Sequence, residues 1–277
     1  MRCLFGNRSS TRAPTAGWYP SKVGCPEWIR NLSLAAQPVI AGAVTIASIN
    51  NAMGTSKTSA TNPKETSPAS IRDTLFGDLP LDQWPSRGVP GDTFPWSAFA
   101  SARSLLAAGK KEEAIATWRQ ILAHAGLEPR HSLQAWKFLR EQGQQPHPDV
   151  AKQVLGVVIE VSMPQGLDLL AAYPDCSARY YNYSGAGVVW EHPDDSIDGE
   201  INQLLDVARE VVTRIGPWNG ERPAAPEGDV VRLCFLTPSG LHFGQGPMGV
   251  LGRDPMGGKV IHFATVLMQS LIAKQTR

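Results

Sequence analysis

Cys176, Glu191, His192, Asp194 and Asp195 bring together, in one short stretch, the side-chain types that ligate metals and move protons. Acids and imidazoles bind divalent ions, and a thiol beside an imidazole is the pairing of a thiol nucleophile. The spacing specifies neither chemistry. Acids at the start of a helix are favoured by the helix dipole and by its free N–H groups. A thiol reacts only where its surroundings lower its pKa, which residue order does not encode. The expectation is therefore structural: Pro193 precedes a helix, and Asp194, Asp195 or Ser196 caps its first turn. No catalytic residue, metal ligand or cofactor is assigned here.

Gly244-Gln-Gly-Pro-Met-Gly249 matches the glycine spacing of a dinucleotide loop. That loop needs a strand before it, a helix straight after it and a βαβ frame. Pro247 sits inside the match, and Gly252-Arg-Asp-Pro-Met-Gly-Gly258 prolongs the loop, so nucleotide binding is set aside. The doubled Pro-Met-Gly suits a mobile loop whose methionines offer an adaptable apolar contact. His242 and His262 flank it. Residues 244–258 are expected to be mobile when free and to order on binding beside the tyrosine-rich segment.

That segment is Arg179-Tyr-Tyr-Asn-Tyr-Ser-Gly-Ala-Gly-Val-Val-Trp-Glu191, read as two strands around a Ser184–Gly187 turn. Tyr181 and Tyr183 share one face, and Tyr180 shares the other with Asn182. Aromatic cross-strand pairs stabilise a sheet, and outward-facing aromatics can also form a binding surface. The candidate binding residues are Tyr180, Tyr181, Tyr183, Trp190, His242, Met248 and Met256.

Three parts of the chain must position these groups. Residues 154–277 read as an α+β domain. Val154–Met163, Leu167–Tyr173, Ala178–Tyr183 and Ala186–Glu191 form an antiparallel meander, set off by Pro164-Gln-Gly166 and Pro174-Asp-Cys176. Ile197, Ile201, Leu204, Leu205, Ala208, Val211, Val212 and Ile215 give a helix one broad apolar face, ended by Gly216-Pro217. Val230–Thr237 and a short Leu241–Phe243 are strands. Val260–Lys274 is a helix, apolar nearly all round and so buried or at an interface, with a strand at its start as the alternative. This order resembles, as element order alone, profilin-like and roadblock-like domains, which implies assembly rather than catalysis.

Residues 71–153 read as a helical segment after a Pro/Gly-rich connection over 71–93. Leu105-Leu-Ala-Ala-Gly-Lys-Lys-Glu-Glu-Ala-Ile-Ala-Thr-Trp-Arg-Gln-Ile-Leu122 resembles the core of a tetratricopeptide hairpin. Gly109 stands at the turn glycine, Ala114 at the small residue where the helices touch, and Trp118 at the large aromatic position. Ala98 and Ala102 depart from the tryptophan and glycine of the first helix. The resemblance covers residues 96–124 only, without a second copy, and implies protein–protein contact.

Residues 1–70 have no regular period and read as a disordered or non-native extension, with Met53 as an alternative start. The apolar stretch 32–49 is interrupted by Ser33, Gln37, Pro38, Thr45 and Ser48, so it suits export or anchoring only as the second choice. A net charge of +1 gives no attraction to nucleic acid or an anionic membrane. Cys3, Cys25, Cys176 and Cys234 are scattered, which fits a reducing, cytoplasmic setting. The sequence thus points to a non-catalytic interaction or assembly module with a protein partner. The alternative is a small-molecule-binding protein or hydrolase with its site between the aromatic hairpin and residues 240–258.

Overall fold

A computed structural model describes residues 68–85 and 92–275; of the extension expected over 1–70, the part before Pro68, including 32–49 and Met53, lies outside them, and 68–70 are helical instead. The chain is α+β: a layer of helices, then a six-stranded antiparallel sheet with two long helices on its other face.

Helix α1 (Pro68–Phe76) stands where the sequence suggested a connection. Gly77, at φ +58°, ends it, and a Cβ there would lie 2.6 Å from the Arg130 carbonyl oxygen. Gln134 is fully buried and clips the next segment: its amide donates to Leu79 O (2.7 Å) and accepts from Leu79 N (3.0 Å).

Helices α2 (Trp96–Ala107), α3 (Lys111–Leu122) and α4 (Pro129–Glu141) pack in sequence. Gly109 adopts φ +77°, letting Lys110 N donate to Leu105 O and Gly109 N to Leu106 O at the end of α2. Phe99, Ala102, Ala114, Trp118, Phe138 and Leu139 form the shared core of the three helices. A single turn, α5 (Pro148–Ala151), leads to the sheet.

The strands are β1 (Gly156–Met163), β2 (Gly166–Ala172), β3 (Ala178–Tyr181), β4 (Gly187–Trp190), β5 (Val230–Thr237) and β6 (Gly240–Pro247). Their spatial order is β4-β3-β2-β1-β5-β6. Alternation along β1 separates two faces. Val158 joins Leu169, Ala171, Tyr173, Cys234 and Leu236 under Leu75 and Phe76 of α1 and Leu133 of α4. Residues 71–153 and 154–277, where described, fall in one compact unit, joined by Leu75 and Phe76 of α1 and Leu133 of α4 in the sheet's core.

Val157 and Ile159 lie on the opposite face, with α6 (Asp198–Arg214) and α8 (Gly257–Gln275) packed together over the sheet. Ile201, Leu204, Leu205, Ala208, Val211 and Val212 are buried along α6, as its apolar spacing predicts. Its start differs from expectation. The N-cap is Ile197, without a side-chain cap, because 194–197 close a turn of their own: Asp198 N donates to Asp195 O (3.0 Å) and Ser196 N to Asp194 Oδ1 (2.9 Å). Among the described residues, no helix is long and apolar enough to cross a membrane.

Of residues 244–258, expected as one loop, only 252–256 form a turn; the rest is strand or helix. Strand β6 continues through Gly244-Gln-Gly-Pro247 against Val230–Leu233, and α7 (Met248–Leu251) follows directly. As an edge strand, β6 tolerates a proline that cannot donate to a ladder. Asp254 Oδ1 then accepts from Met256 N (2.9 Å) and Gly257 N (2.8 Å), opening α8.

Candidate functional site

The sheet order separates the residues expected to form one site. Tyr180, Tyr181 and Trp190 lie on β3 and β4, while His242 lies on β6 at the other edge. From β3 to β6 is four strand spacings, about 19 Å. Met248 opens α7 at the end of β6 and Met256 follows it, so the aromatic hairpin and the glycine-rich segment do not enclose a common cavity among the described residues.

Each of these residues has a local partner. Tyr180 donates from its hydroxyl to Asp168 Oδ2 (3.0 Å), and Tyr183 N donates to Asp168 Oδ1 (2.8 Å). Burial pushes the Asp168 carboxyl above its ordinary pKa, against those two donors. Tyr181 packs at the margin of the Leu75–Tyr173 cluster. Trp190 is nearly buried, with Lys274 Nζ 4.9 Å from its ring centre. His242 is fully buried, 3.4 Å from Thr237 Oγ1, and burial lowers its pKa to about 4, so the ring is neutral at pH 7. Met248 is buried and Met256 half-buried.

Two further constellations lie at opposite ends of the β2–β3 pair, the second of them partly anticipated by the sequence. The first surrounds a cleft of about 630 Å³ between α1, the β1–β2 turn and residues 225–228. Met163, Leu167, Tyr183 and Pro226 give it apolar walls, and Asp73, Gln165 and Glu227 add polar groups. Beside it Glu160, fully buried on β1, accepts from Arg72 of α1 and from Arg232 Nη1 of β5 (3.0 Å). The arginines are held in turn: Arg72 Nη2 donates to Pro223 O (2.6 Å), and Arg232 donates to Ala224 O (2.7 Å) and Gln245 Oε1 (2.8 Å). Arg222 lies 4.5 Å over the Phe76 ring and bonds Asp73 (2.6 Å) and Asp78 (2.7 Å). Three cations thus meet three carboxylates. A lone Glu inside Val157-Val-Ile-Glu-Val161 and a lone Arg inside Val230-Val-Arg-Leu233 were the available signal, because a charge in a buried strand needs a partner.

The second constellation is at the other end. Cys176 in the β2–β3 turn, His192 after β4 and Asp198 at the start of α6 place one ligand-type atom each within 4.8 Å of one another. His192 Nε2 lies 2.9 Å from Asp198 Oδ2, and Asn202 Nδ2 lies 3.8 Å from Cys176 Sγ. Burial, helped by the Asp198 carboxylate, pushes the Cys176 thiol above its ordinary pKa. That is the opposite of thiol activation. The sequence had paired Cys176 with His192 but not with Asp198, and Glu191 instead bonds Arg179 (2.8 Å).

Compared with known proteins, the chain matches no family model, and no curated protein or solved structure shows significant similarity to it.

Proposed function

We propose that the protein is a non-catalytic binding module whose recognition surface is the cleft between α1, the β1–β2 turn and residues 225–228. The observation that carries this reading is the division of labour there. Apolar walls from Met163, Leu167 and Pro226 stand beside a charge network whose members neutralise one another. Apolar pockets with a few fixed polar groups favour binding, and arginines engaged on both sides are not free to move protons. The ligand that fits is a protein segment placing an apolar side chain between Met163 and Pro226, with polar backbone toward Gln165 and Glu227.

An assembly role also accords with the element order, which resembles profilin-like and roadblock-like scaffolds, and with the tetratricopeptide-like hairpin. In that hairpin Ala114 and Trp118 are fully buried, so their contribution is internal support. The test is site-specific photocrosslinking in the native host, with the probe at Gln165 and a control at exposed Gln269 on α8. The expected result is a discrete protein adduct from Gln165 alone, weakened by Met163→Arg. Equal labelling from both positions, or indifference to Met163→Arg, would overturn the reading.

A further inference from the structure

We propose that Cys176, His192 and Asp198 form a binding site for a Zn²⁺-class divalent metal, remote from the recognition cleft. The ligand types decide the class. A thiolate, an imidazole and a carboxylate are the mixed donors that Zn²⁺ accepts, whereas Ca²⁺ and Mg²⁺ select oxygen alone. The mutual distances, all within 4.8 Å, allow the three atoms to converge on one ion after small side-chain rotations. His192 and Asp198 already share a contact of 2.9 Å, and the metal would replace the proton between them.

A separate observation points to a missing ligand. The Asp198 side chain is a quarter exposed, yet its Oδ1 is shielded from solvent and, apart from the neighbouring Cys176 thiol, has no hydrogen-bond partner. Buried carboxylate oxygens seldom stay unanswered, and an ion is one of the groups that answers them. The backbone accords with this placement. Cys176 is at φ 59°, the left-handed conformation that among the described residues no other non-glycine adopts. That turn directs the thiol to the end of the sheet where Asp198 begins α6.

Coordination would tie the β2–β3 turn, the exit of β4 and the start of α6 together, with water in a fourth position. The positive end of the α6 dipole opposes a cation, but two anionic ligands outweigh it. Binding releases the thiol proton to solvent as the Zn–S bond forms.

The experiment uses the full chain, freed of affinity tags and stripped with chelator, titrated with Zn²⁺ and with Co²⁺ as an optical reporter. One equivalent of Co²⁺ should produce a thiolate-to-cobalt absorption band that Zn²⁺ displaces. The band should persist in the Cys3→Ser/Cys25→Ser variant and vanish in Cys176→Ser. Asp198→Asn and His192→Gln should each weaken Co²⁺ binding by about tenfold or more. Saturating Zn²⁺ should raise the wild-type thermal midpoint by about 5–10 °C at a hundred times Kd. Absence of a sulfur-to-cobalt band in the wild type, or its survival in Cys176→Ser, would overturn the proposal. Should Cys176→Ser fail to fold, the His192 and Asp198 variants decide: unchanged Co²⁺ affinity in both overturns it.

Discussion

At one end of the β2–β3 pair, Glu160 is enclosed and answered from two sides by Arg72 and Arg232. At the other, Asp198 shares one oxygen with half-exposed His192, and its shielded second oxygen has no partner apart from the neighbouring Cys176 thiol. Both are carboxylates supported by neighbouring strands or turns, yet one is complete and the other open. A complete buried network fixes geometry, because removing any member strands the rest. An open one retains free energy that an incoming ion can recover. The comparison gives the Glu160 network the duty of holding the wall of the proposed recognition cleft, and leaves the Asp198 cluster as the place where the proposed metal would bind.

The hardest way to break the first region is Glu160→Ala, which leaves Arg72 and Arg232 buried without their anion. The expected loss is about 3–5 kcal/mol in denaturant unfolding. Replacing Glu160, Arg72 and Arg232 together with methionine should recover most of it. If Glu160→Ala alone is tolerated, the network is not the structural member described above.

A charge introduced where no counter-ion exists calibrates that figure. Ala114 is fully buried between α2 and α3, and Ala114→Arg should destabilise by about 2–4 kcal/mol through overpacking and an unpaired charge. A near-neutral result would show that the helical core rearranges readily.

His242 tests an isolated buried ring. Its folded-state pKa is depressed to about 4, against an unfolded value of about 6.5. Below pH 6.5 the unfolded chain therefore binds a proton that the folded chain refuses. Stability from this group is present above pH 6.5 and falls as the pH drops toward the folded pKa, by about 1.5 kcal/mol between pH 6.5 and pH 5. His242→Gln should lose less over that window. Parallel pH profiles for wild type and variant would refute the assignment.

The smallest effect belongs to the open region. Cys176→Gly should raise metal-free stability by about 1 kcal/mol, because glycine adopts φ 59° without the Cβ clash. It should also abolish the cobalt signal. Gain of stability with loss of metal separates ligation from support, whereas a destabilised Cys176→Gly would make the thiol a packing group.

The sheet and its long flanking helices were legible because their patterns are local. The β-branched run in Val157–Val161 reports a strand buried on both faces, and the 3.6-residue apolar spacing of Ile201–Val212 reports one face of a helix. Helix α1 was missed because Pro68, Gly77 and Pro80 bracket it closely and its core residues, Leu75 and Phe76, are few. The extent of β6 was missed because Gly244 and Gly246 carry no strand preference, and pairing with β5 decides their conformation. The candidate sites lay deeper still. Glu160 meets Arg72 across eighty-eight positions of sequence, and Cys176 meets Asp198 only once a hairpin has turned. The tyrosines drew notice for their chemistry, but sheet order sets their distance from His242.

Strand β4 borders the sheet with only four residues and an exposed Val189. Gly187 sits opposite Tyr181, where a Cβ would collide with the Tyr180 carbonyl and the Tyr181 ring. So short a border offers a second chain a ladder of about two backbone pairs, too few to template fibre growth. The brevity of β4 is thus a safeguard of colloidal behaviour at high concentration. Lengthening β4 into its Asn182–Ala186 turn with apolar, β-branched residues would remove that safeguard at this edge.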